Sequence, residues 1–542
     1  MPILETAVTT NSAEFELNKA NMETALNELR ALEQRTRDAS AKAAPSFAKR
    51  GQLLPRDRVA LLLDSGSPFL ELSTLAGYMQ DGQKAEKSIP GGGIIAGLGY
   101  VANTLCMVVA SDSGIEAGAL QAMGIEKMQR AQDIALENKL PFINLGESAG
   151  ANLLKYKVEH FILGGGNFYR LAKLSAAGLP VVNVLHGSST AGGAYIPGLS
   201  DVVIMVRERA RAFLAGPPLL KAATGEIATD EELGGADMHC SISGLGDYIA
   251  DDDRHAIALA REVMAKIDWN NSNRQVLPAL NSNAPAPRYP AEELLGVMPA
   301  DIKTPVDMRE VIARIVDDSD FLEFKANYGS ATLCGYAKLL GVSIGIISNL
   351  GPIDTAGATK ATHFIQSCCQ TKTPIIYLQN TTGYMVGKEA EQGGIIKHGS
   401  KMIQAVSNAT VPQITLLCGA SFGAGNYGMC GRAFGPRFVF AWPNSKTAVM
   451  GAEQAAGTMA TVMQASAARK GIEVPEFMLE NMKKQIIDTF ESQTSAFHTS
   501  GLLLDDGVID PRDTRQVLAL ALITCLQQER SVQPMQFGVA RP

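Results

Sequence analysis

Two glycine-rich segments at a fixed spacing constrain the fold of this chain more than any other feature of its sequence. The first occupies residues 179–195 and contains Thr-Ala-Gly-Gly-Ala-Tyr; the second occupies residues 410–431 and contains Phe-Gly-Ala-Gly-Asn-Tyr. Four pairs of residues align at one constant spacing, namely Pro180 with Pro412, Gly187 with Gly419, Gly193 with Gly425, and Tyr195 with Tyr427. A spacing kept over four pairs indicates a repeated unit.

A second pair of segments lies upstream and keeps almost the same spacing. Residues 140–150 match residues 373–383, and Gly150 lies opposite Gly383, a spacing only one position longer than that of the first pair. Two motifs that recur in the same order at nearly one spacing indicate a duplicated domain. We therefore expect one site of the same kind in each half of the chain.

The residue types in these segments are suited to holding negative charge with backbone groups. Residues 411–417 are a short apolar run that predicts a buried strand. The small residues at 419–425 let the backbone approach a ligand closely. If a helix begins near Ala424, its first amides are unpaired and can stabilise an oxyanion. A turn that serves only tight packing is the alternative for one segment alone, whereas the duplication favours two oxyanion sites.

Composition and charge exclude several classes of protein. The length of 542 residues predicts two or more domains. The net charge of −7, without a long block of Lys or Arg, argues against nucleic acid or an anionic membrane as partner. Eight cysteines without CxxC indicate reduced thiols, and seven scattered histidines without HExxH give no support for a metal. No apolar run is long enough to span a membrane, and no signal or transit pattern is evident, so we expect a bacterial cytoplasmic protein.

Strands and helices alternate from residue 94 onwards, which indicates a layered α/β fold. The predicted helices cover residues 13–35, 55–63, 117–138, 359–369, a segment that begins at 401, and 515–528. The predicted strands cover residues 105–110, 142–145, a pair within 333–350, 375–378 and 411–417. Residues 35–46 are polar, and residues 270–304 are rich in Asn, Ser, Ala and Pro, which is typical of an interdomain linker.

Two short segments have more than one interpretation. Glu147 is the charged residue of a predicted turn at 146–150, where a carboxylate at a helix start is favoured over a general base. Gly164, Gly165 and Gly166 predict either a flexible surface loop or space cleared for a bulky ligand.

Taken together, these motifs resemble those of the carboxyltransferase β subunits of biotin-dependent acyl-CoA carboxylases. The resemblance covers nearly the whole chain and is closest to the geranyl-CoA and 3-methylcrotonyl-CoA branch. It rests on seven segments, at residues 51–58, 190–195, 213–218, 231–236, 380–387, 421–429 and 449–456. The implied enzyme is a ligase component that takes its carboxyl group from biotin on another chain.

The resemblance implies two crotonase-like domains, each a ββα superhelix. Residues 1–92 would form a helical arm and the start of the N domain, and residues 93–272 the N domain, which binds acyl-CoA. Residues 273–304 would be a linker, and residues 305–542 the C domain, which binds carboxybiotin. The active site would lie where the N half of one subunit faces the C half of another. The implied assembly is a β hexamer within α6β6, with a biotin-carboxylase and biotin-carrier α subunit as partner.

The same resemblance assigns site residues. The amides of Gly192 and Gly193 would stabilise charge on the thioester oxygen, and those of Ala424 and Gly425 charge on the ureido group of biotin. The matching acyl-CoA contacts are Ser148, Ala149, Gly150, Gly164, Gly165, Gly166 and Ala191. The matching biotin contacts are Thr381, Thr382, Gly383, Phe422 and Gly423. No metal takes part, and biotin supplies the chemistry while the protein supplies placement and electrostatics.

The implied substrate is a branched 2-enoyl-CoA that is carboxylated at its γ-carbon. Methylcrotonyl-type relatives carry aromatic bulk where this chain has glycine at 164–166. Residues 351–353 and 536–541 also resemble the geranyl type. These features favour geranyl-CoA or a similar longer chain, with 3-methylcrotonyl-CoA as the alternative.

Two departures from the family's pattern keep other classes of function open. Ser148-Ala149-Gly150 stands where the family usually has Ser-Gly-Gly, and Glu116-Ala117-Gly118 stands where it often has Lys-Gly-Gly. A methyl group and a reversed charge near the expected CoA side are compatible with weakened or altered CoA binding. The alternatives are a non-catalytic assembly subunit that keeps the fold and a biotin-dependent acyl-CoA decarboxylase subunit.

Overall fold

A computed structural model describes residues 3–80, 82–119, 121–148, 150, 157–214, 216–272, 280–301, 304–469 and 474–529. These residues divide into two compact units. The N unit is built mainly from residues 31–272 and includes residues 501–503 and 524–529. The C unit combines residues 3–30 with residues 280–500 and 504–523.

Several α-helices begin at positions that the local sequence predicts. Helix α3 begins at Pro55, because proline at the first helical position loses no hydrogen bond. The side chain of Asp252 caps α11 by accepting from the amide of His255. In chain order the helices are α1 (Ala13–Ala41), α2 (Ala44–Lys49), α3 (Pro55–Leu62), α4 (Ala122–Glu137), α5 (Val158–Gly164), α6 (Gly166–Ala176), α7 (Tyr195–Gly198), α8 (Pro217–Thr224), α9 (Asp230–Gly234), α10 (Ala236–Met238), α11 (Asp253–Ile267), α12 (Trp269–Ser272), α13 (Leu294–Val297), α14 (Arg309–Ala313), α15 (Thr355–Gln370), α16 (Lys388–Gln392), α17 (Ile395–Ser407), α18 (Ala424–Gly428), α19 (Ala452–Ala468), α20 (Glu476–Thr494), α21 (Ala496–Gly501) and α22 (Thr514–Leu526).

The described part of the N unit contains a mixed sheet of eight strands. They are β1 (Phe69–Glu71), β2 (Ile94–Val101), β3 (Thr104–Ser111), β4 (Phe142–Ser148), β5 (Val181–Thr190), β6 (Val202–Val206), β7 (Arg211–Phe213) and β8 (Tyr248–Ala250). Their order is β1-β2-β3-β4-β5-β6-β8, with β7 also paired to β5. The first two pairings are antiparallel and the others parallel. Strand β3 is buried along its whole length, as expected for a strand that is covered on both faces.

The described part of the C unit contains a mixed sheet of seven strands. They are β9 (Leu322–Glu323), β10 (Thr332–Leu339), β11 (Val342–Asn349), β12 (Ile375–Thr381), β13 (Gln413–Phe422), β14 (Phe438–Ala441) and β15 (Lys446–Ala448). Their order is β14-β13-β12-β11-β10-β9, with β15 also paired to β13. Again the first two pairings along the chain are antiparallel and the others parallel.

The two sheets also break their pairing at matching places. The register between β4 and β5 shifts between Gly146 and Ser148, and the register between β12 and β13 shifts between Gln379 and Thr381. These shifts are separated by the same spacing as Gly150 and Gly383 of the upstream sequence motifs. The structure therefore confirms an α/β fold with two similar mixed sheets.

Each sheet is held by a separate apolar core. In the N unit, α3 and α11 pack on the sheet, and Leu62 and Ile257 are buried with Ile143 of β4. In the C unit, Phe364 of α15 and Met402 of α17 are buried in one cluster with strand residues. Burial of these apolar side chains holds the strands in place. The strands in turn position the segments that follow their ends.

Several boundaries differ from the predictions. Helix α1 continues to Ala41 rather than ending at 35, and α2 begins at Ala44, so the polar stretch at 35–46 is largely helical. Polar residues occur there because most of that helix surface faces water. Helix α4 begins at Ala122 rather than at 117, because Ala117 has a φ of 52° within a short 3-10 turn.

Other predictions agree in type but not in length. Strand β4 continues to Ser148 and β13 to Phe422, so parts of the predicted glycine turns are strand. Within the predicted linker, α13 is helical and buried, while residues 273–279 and 302–303 lie outside the described part of the chain. In the described ranges no helix is long and apolar enough to cross a membrane.

Candidate functional site

The C unit presents a glycine turn at the end of β13. Gly423 has φ 56° and ψ −148°, a conformation that favours glycine, and its amide donates to the carbonyl of Ala448. Helix α18 then begins at Ala424, as the sequence predicts. The first amides of a helix have no carbonyl one turn earlier, so Ala424 and Gly425 stand at a helix start that is suited to an anion.

A second glycine turn packs directly against the first. It follows β12, where Gly383 has a φ of 120° and its amide donates to the hydroxyl of Thr381 at 3.2 Å. A Cβ atom at Gly425 would lie 2.8 Å from the Cα of Gly383. The structure therefore brings the predicted biotin-side residues together, with Thr381 and Phe422 buried and Thr382 exposed.

Neutral side chains hold this C-unit turn, and the sequence analysis did not single them out. The hydroxyl of Ser421 donates to Oε1 of Gln379 at 2.6 Å and accepts from Nδ2 of Asn426 at 2.8 Å. Gln379 Nε2 donates to the carbonyl of Met429 at 2.6 Å. The chain of bonds joins β12, β13 and α18, which fixes the helix start relative to both strands.

The N unit presents the matching turn at the end of β5. Ala191 has a φ of 52° and opens a 3-10 helix at Ala191–Ala194, which places Gly192 and Gly193 in its first turn. The hydroxyl of Ser189 donates to the carbonyl of Gly193 at 2.9 Å. Because early amides of a 3-10 helix also lack an internal acceptor, this turn can present donors in the same way.

The turn after β4 lies beside it. Gly150 has a φ of 88°, and its amide donates to the hydroxyl of Ser148 at 3.1 Å. Ser148 in turn donates to the carbonyl of Gly118 at 2.8 Å. A Cβ atom at Gly150 would lie 3.1 Å from Oγ1 of Thr190, so the two N-unit turns are close neighbours. Ala149 lies outside the described residues.

Glu147 does not lie at a helix start, contrary to the favoured interpretation. It belongs to strand β4 and forms an ion pair with Arg58 at 2.6 Å. Arg58 also pairs with Asp253, whose carboxylate accepts from Nδ1 of His186 at 2.9 Å. Burial lowers the pKa of His186, so the imidazole is neutral at pH 7. The cluster joins groups up to 195 residues apart, which local sequence patterns do not reveal.

The glycine triplet is helical rather than a loop. Gly164 ends α5 and Gly166 begins α6, with Gly165 between them. A Cβ atom at Gly192 would lie 3.7 Å from Cζ of Phe168, two residues after the triplet. The helix that starts at the triplet therefore borders the N-unit turn.

The two turns make one kind of chemistry possible in each unit. Backbone amides stand at helix starts, next to the ends of strands. Residues 47–539 match the family of the carboxyl transferase domain. The chain belongs to the carboxyl transferase family.

Several relatives in this family are β subunits of acyl-CoA carboxylases. The crystal structure of the geranyl-CoA carboxylase β subunit from P. aeruginosa is 49% identical, covers 99% of this chain and 100% of its own, and superposes with a TM-score of 0.91. The methylcrotonoyl-CoA carboxylase β chain of Dictyostelium discoideum is 44% identical over 99% of this chain and 91% of its own. The biotin-dependent 3-methylcrotonyl-coenzyme A carboxylase β1 subunit of Mycobacterium tuberculosis is 44% identical over 89% of this chain and 90% of its own. This carboxyltransferase therefore lies in the geranyl-CoA and methylcrotonyl-CoA carboxylase branch.

Proposed function

We propose that this carboxyltransferase moves a carboxyl group from carboxybiotin, carried by a partner α subunit, to the γ-carbon of a branched 2-enoyl-CoA such as geranyl-CoA. The observation that carries the proposal is the pair of helix-start turns at the same position of two similar sheets. In this transfer, negative charge develops first on the ureido group of biotin and then on the thioester of the acyl-CoA, so two places must stabilise it. One turn in each unit meets this need.

In the N unit, Gly192 and Gly193 hold the thioester oxygen of the acyl-CoA. As charge develops on that oxygen, the two amides stabilise it without moving, because the strand and the hydroxyl of Ser189 already position them. Ser148 and Gly150 line the neighbouring turn and bind the same substrate. Removal of one such donor typically lowers a rate by about 10²–10³-fold.

In the C unit, the matching turn would hold the ureido ring of biotin. A Cβ atom at Gly423 would lie 3.1 Å from the carbonyl oxygen of Val449, and one at Gly425 would meet Gly383, so side chains are kept away from the helix start. Ala424 and Gly425 are positioned to hold the ureido oxygen, with Thr381, Thr382 and Phe422 around them. Biotin, when bound, would supply the carboxyl group, and its freed ureido nitrogen would accept the proton that the γ-carbon loses.

The choice of geranyl-CoA over 3-methylcrotonyl-CoA rests on the glycine triplet. A Cβ atom at Gly164 would make only ordinary contacts, 3.6 and 3.7 Å from Ile125. Gly164 therefore has room for a side chain next to α4, and α6, which follows it, borders the N-unit turn through Phe168. The 49% identity to the geranyl-CoA carboxylase β subunit supports the same choice.

The same relationship supports an assembly in which the N unit of one subunit faces the C unit of another. We expect a β hexamer with biotin-bearing α subunits, and an isolated monomer without activity.

A panel of acyl-CoA thioesters tests the proposal. The chain is produced with its biotin-bearing partner, and carboxylation that depends on ATP and bicarbonate is measured for geranyl-CoA, 3-methylcrotonyl-CoA and shorter saturated thioesters. We expect the highest kcat/KM with geranyl-CoA. A higher kcat/KM with 3-methylcrotonyl-CoA would show that the smaller thioester is the preferred substrate. Absence of carboxylation by a co-purified complex would overturn the proposed reaction.

Replacement of Gly164 by Phe should shift the substrate preference. The ring fills the space at the end of α5, so kcat/KM for geranyl-CoA should fall by about 10-fold or more while 3-methylcrotonyl-CoA is less affected. Gly164→Ala is the matched control, since its Cβ makes ordinary contacts with Ile125. Unchanged turnover of the ten-carbon substrate by the Phe variant would contradict the size argument.

A further inference from the structure

The N-unit turn is tied to the rest of its sheet by a half-buried charge that has no part in the proposed reaction. Glu147 lies on β4 at the place where the pairing with β5 shifts register, one residue before Ser148. The ladder is interrupted at Glu147 and resumes at Ser148, which pairs with Ser189. A side-chain contact at the interruption adds to this pair in holding the turns after β4 and β5 in one geometry.

The carboxylate of Glu147 provides this contact through three donors. Arg58 donates to Oε2 at 2.6 Å, Ser113 donates to Oε2 at 2.8 Å, and Gln52 donates to Oε1 at 3.3 Å. The side chain of Arg58 is 1% exposed and that of Glu147 14%. Charge-assisted bonds of this kind are stronger than those between neutral groups, and they hold the carboxylate in one place.

The same carboxylate lies against the backbone of β5. A Cβ atom at Gly187 would lie 2.6 Å from Cγ of Glu147, so this position of β5 has to be glycine for the side chain to fit. Gln52 also donates to the carbonyl of His186 at 3.0 Å, next to Gly187. The Glu147 side chain therefore joins the end of β4 to the strand that carries Gly192 and Gly193.

The C unit repeats this arrangement with a neutral residue. Asn380 is the counterpart of Glu147 in the repeat, because it stands at the matching register shift between β12 and β13. A Cβ atom at Gly419, the counterpart of Gly187, would lie 2.5 Å from Oδ1 of Asn380. That oxygen accepts from the amide of Ala420 at 3.2 Å. A polar side chain thus crosses to a facing glycine at the same point of both sheets.

The charge on Glu147 makes Arg58 necessary. A carboxylate near groups that must stabilise an anion would oppose them unless a cation balances it. Asp253, the second carboxylate on Arg58, has Arg209 at 4.0 Å as a further cation. Two cations therefore balance two anions within the cluster.

We infer that Glu147, balanced by Arg58, is a positioning residue that sets the geometry of the N-unit turn. The inference rests on the proposed function, because that function places the thioester oxygen of the substrate at the N-unit turn. The expected effect is on the rate of the transfer more than on the affinity for the acyl-CoA, because neither Glu147 nor Arg58 is among the residues proposed to bind the acyl-CoA.

The Glu147→Gln variant tests this in the holoenzyme. It keeps the size of the side chain and removes the charge, so the strand ends should be held less firmly. A shift of the donors by about 1 Å corresponds to a loss of about 10²-fold, and we expect kcat to fall by about 10- to 100-fold with KM for the acyl-CoA nearly unchanged. Glu71→Gln is the matched control, because Glu71 forms a bidentate pair with Arg56 in the same unit and is 16% exposed. A kcat equally low in both variants would overturn the inference.

The Arg58→Met variant provides a second test. It leaves Glu147 without its cation, whereas Arg58→Met combined with Glu147→Gln removes both charges. We expect the double variant to have a higher kcat than Arg58→Met alone. If the residues served stability only, kcat of each variant would follow its fraction of folded protein, as measured by thermal unfolding.

Hydrogen exchange separates this inference from the proposed function. Amides in residues 142–148 and 181–195 should exchange faster in Glu147→Gln than in wild type or in Glu71→Gln, and residues 413–422 should be unchanged. This readout needs no substrate. If the wild-type complex carboxylated no branched enoyl-CoA, the proposed function would fail, and the exchange rates would still decide whether Glu147 positions the turn.

Discussion

Replacement of Ala424 by proline is expected to lower kcat for carboxylation by about 10²–10³-fold while the C unit stays folded. Ala424 is the first residue of α18 and follows Gly423. Proline lacks a backbone N–H but is well accepted at the first helical position. The substitution therefore removes one proposed oxyanion donor and little else. Steady-state kinetics of the holoenzyme and the Tm of the variant measure the two effects separately.

The matched control for this variant is Ala452→Pro. Ala452 is the first residue of α19 and follows Gly451, so the same chemical change is made at the same helical position in the same unit. We expect kcat of this control within about twofold of wild type, as for a tolerated surface change. If Ala424→Pro were equally active, the amide of Ala424 would have no part in the transfer.

Replacement of Gly425 by alanine is expected to separate the two turns of the C unit. The added Cβ would lie 2.8 Å from the Cα of Gly383 and 2.9 Å from Cγ2 of Thr381, and neither neighbour is the end of a flexible side chain. One of the turns must move, and a displacement near ~1 Å lowers a rate by about 10²-fold. We expect this loss in kcat, with the Kd of the acyl-CoA unchanged by calorimetry, because the substitution lies in the biotin-side unit.

Gly457→Ala is the control for the steric argument. Gly457 is exposed within α19, and a Cβ atom there would meet no atom within 4 Å. Alanine favours a helix over glycine by about 1 kcal/mol, so we expect a slightly higher Tm and a normal kcat. Normal kcat in Gly425→Ala would show that the contact between the two C-unit turns is not needed for transfer.

Much of the fold could be predicted because its signals are local. The apolar run before residue 419 and the small residues after it predict a strand that leads to a helix near Ala424, where α18 begins. The nearly constant spacing of the paired motifs predicts that the same arrangement occurs twice, and the two sheets have matching pairings and register shifts. Apolar periodicity and glycine placement depend on neighbouring residues, which a single sequence displays directly.

The remaining features depend on contacts between distant residues. Gly164 and Gly166 have low helix propensity, yet they lie in α5 and α6, because tertiary context overrides a weak local preference. The residues next to Glu147 in the sequence are typical of a turn, yet Glu147 lies in a strand and pairs with Arg58, 89 residues earlier. The hydrogen bonds that link Asn426 to Ser421 and Ser421 to Gln379 likewise join three separate elements, α18, β13 and β12.

The sequence by itself predicted the proposed type of chemistry, because it doubles a segment of small residues that offers backbone amides in place of reactive side chains. Tertiary structure alone decided how those amides are held. In the N unit the half-buried, charged Glu147 crosses to Gly187, and in the C unit the neutral Asn380 crosses to Gly419. The physical reason is that a backbone donor has its direction set by the strands and side chains packed against it, and those contacts join residues that no local pattern connects.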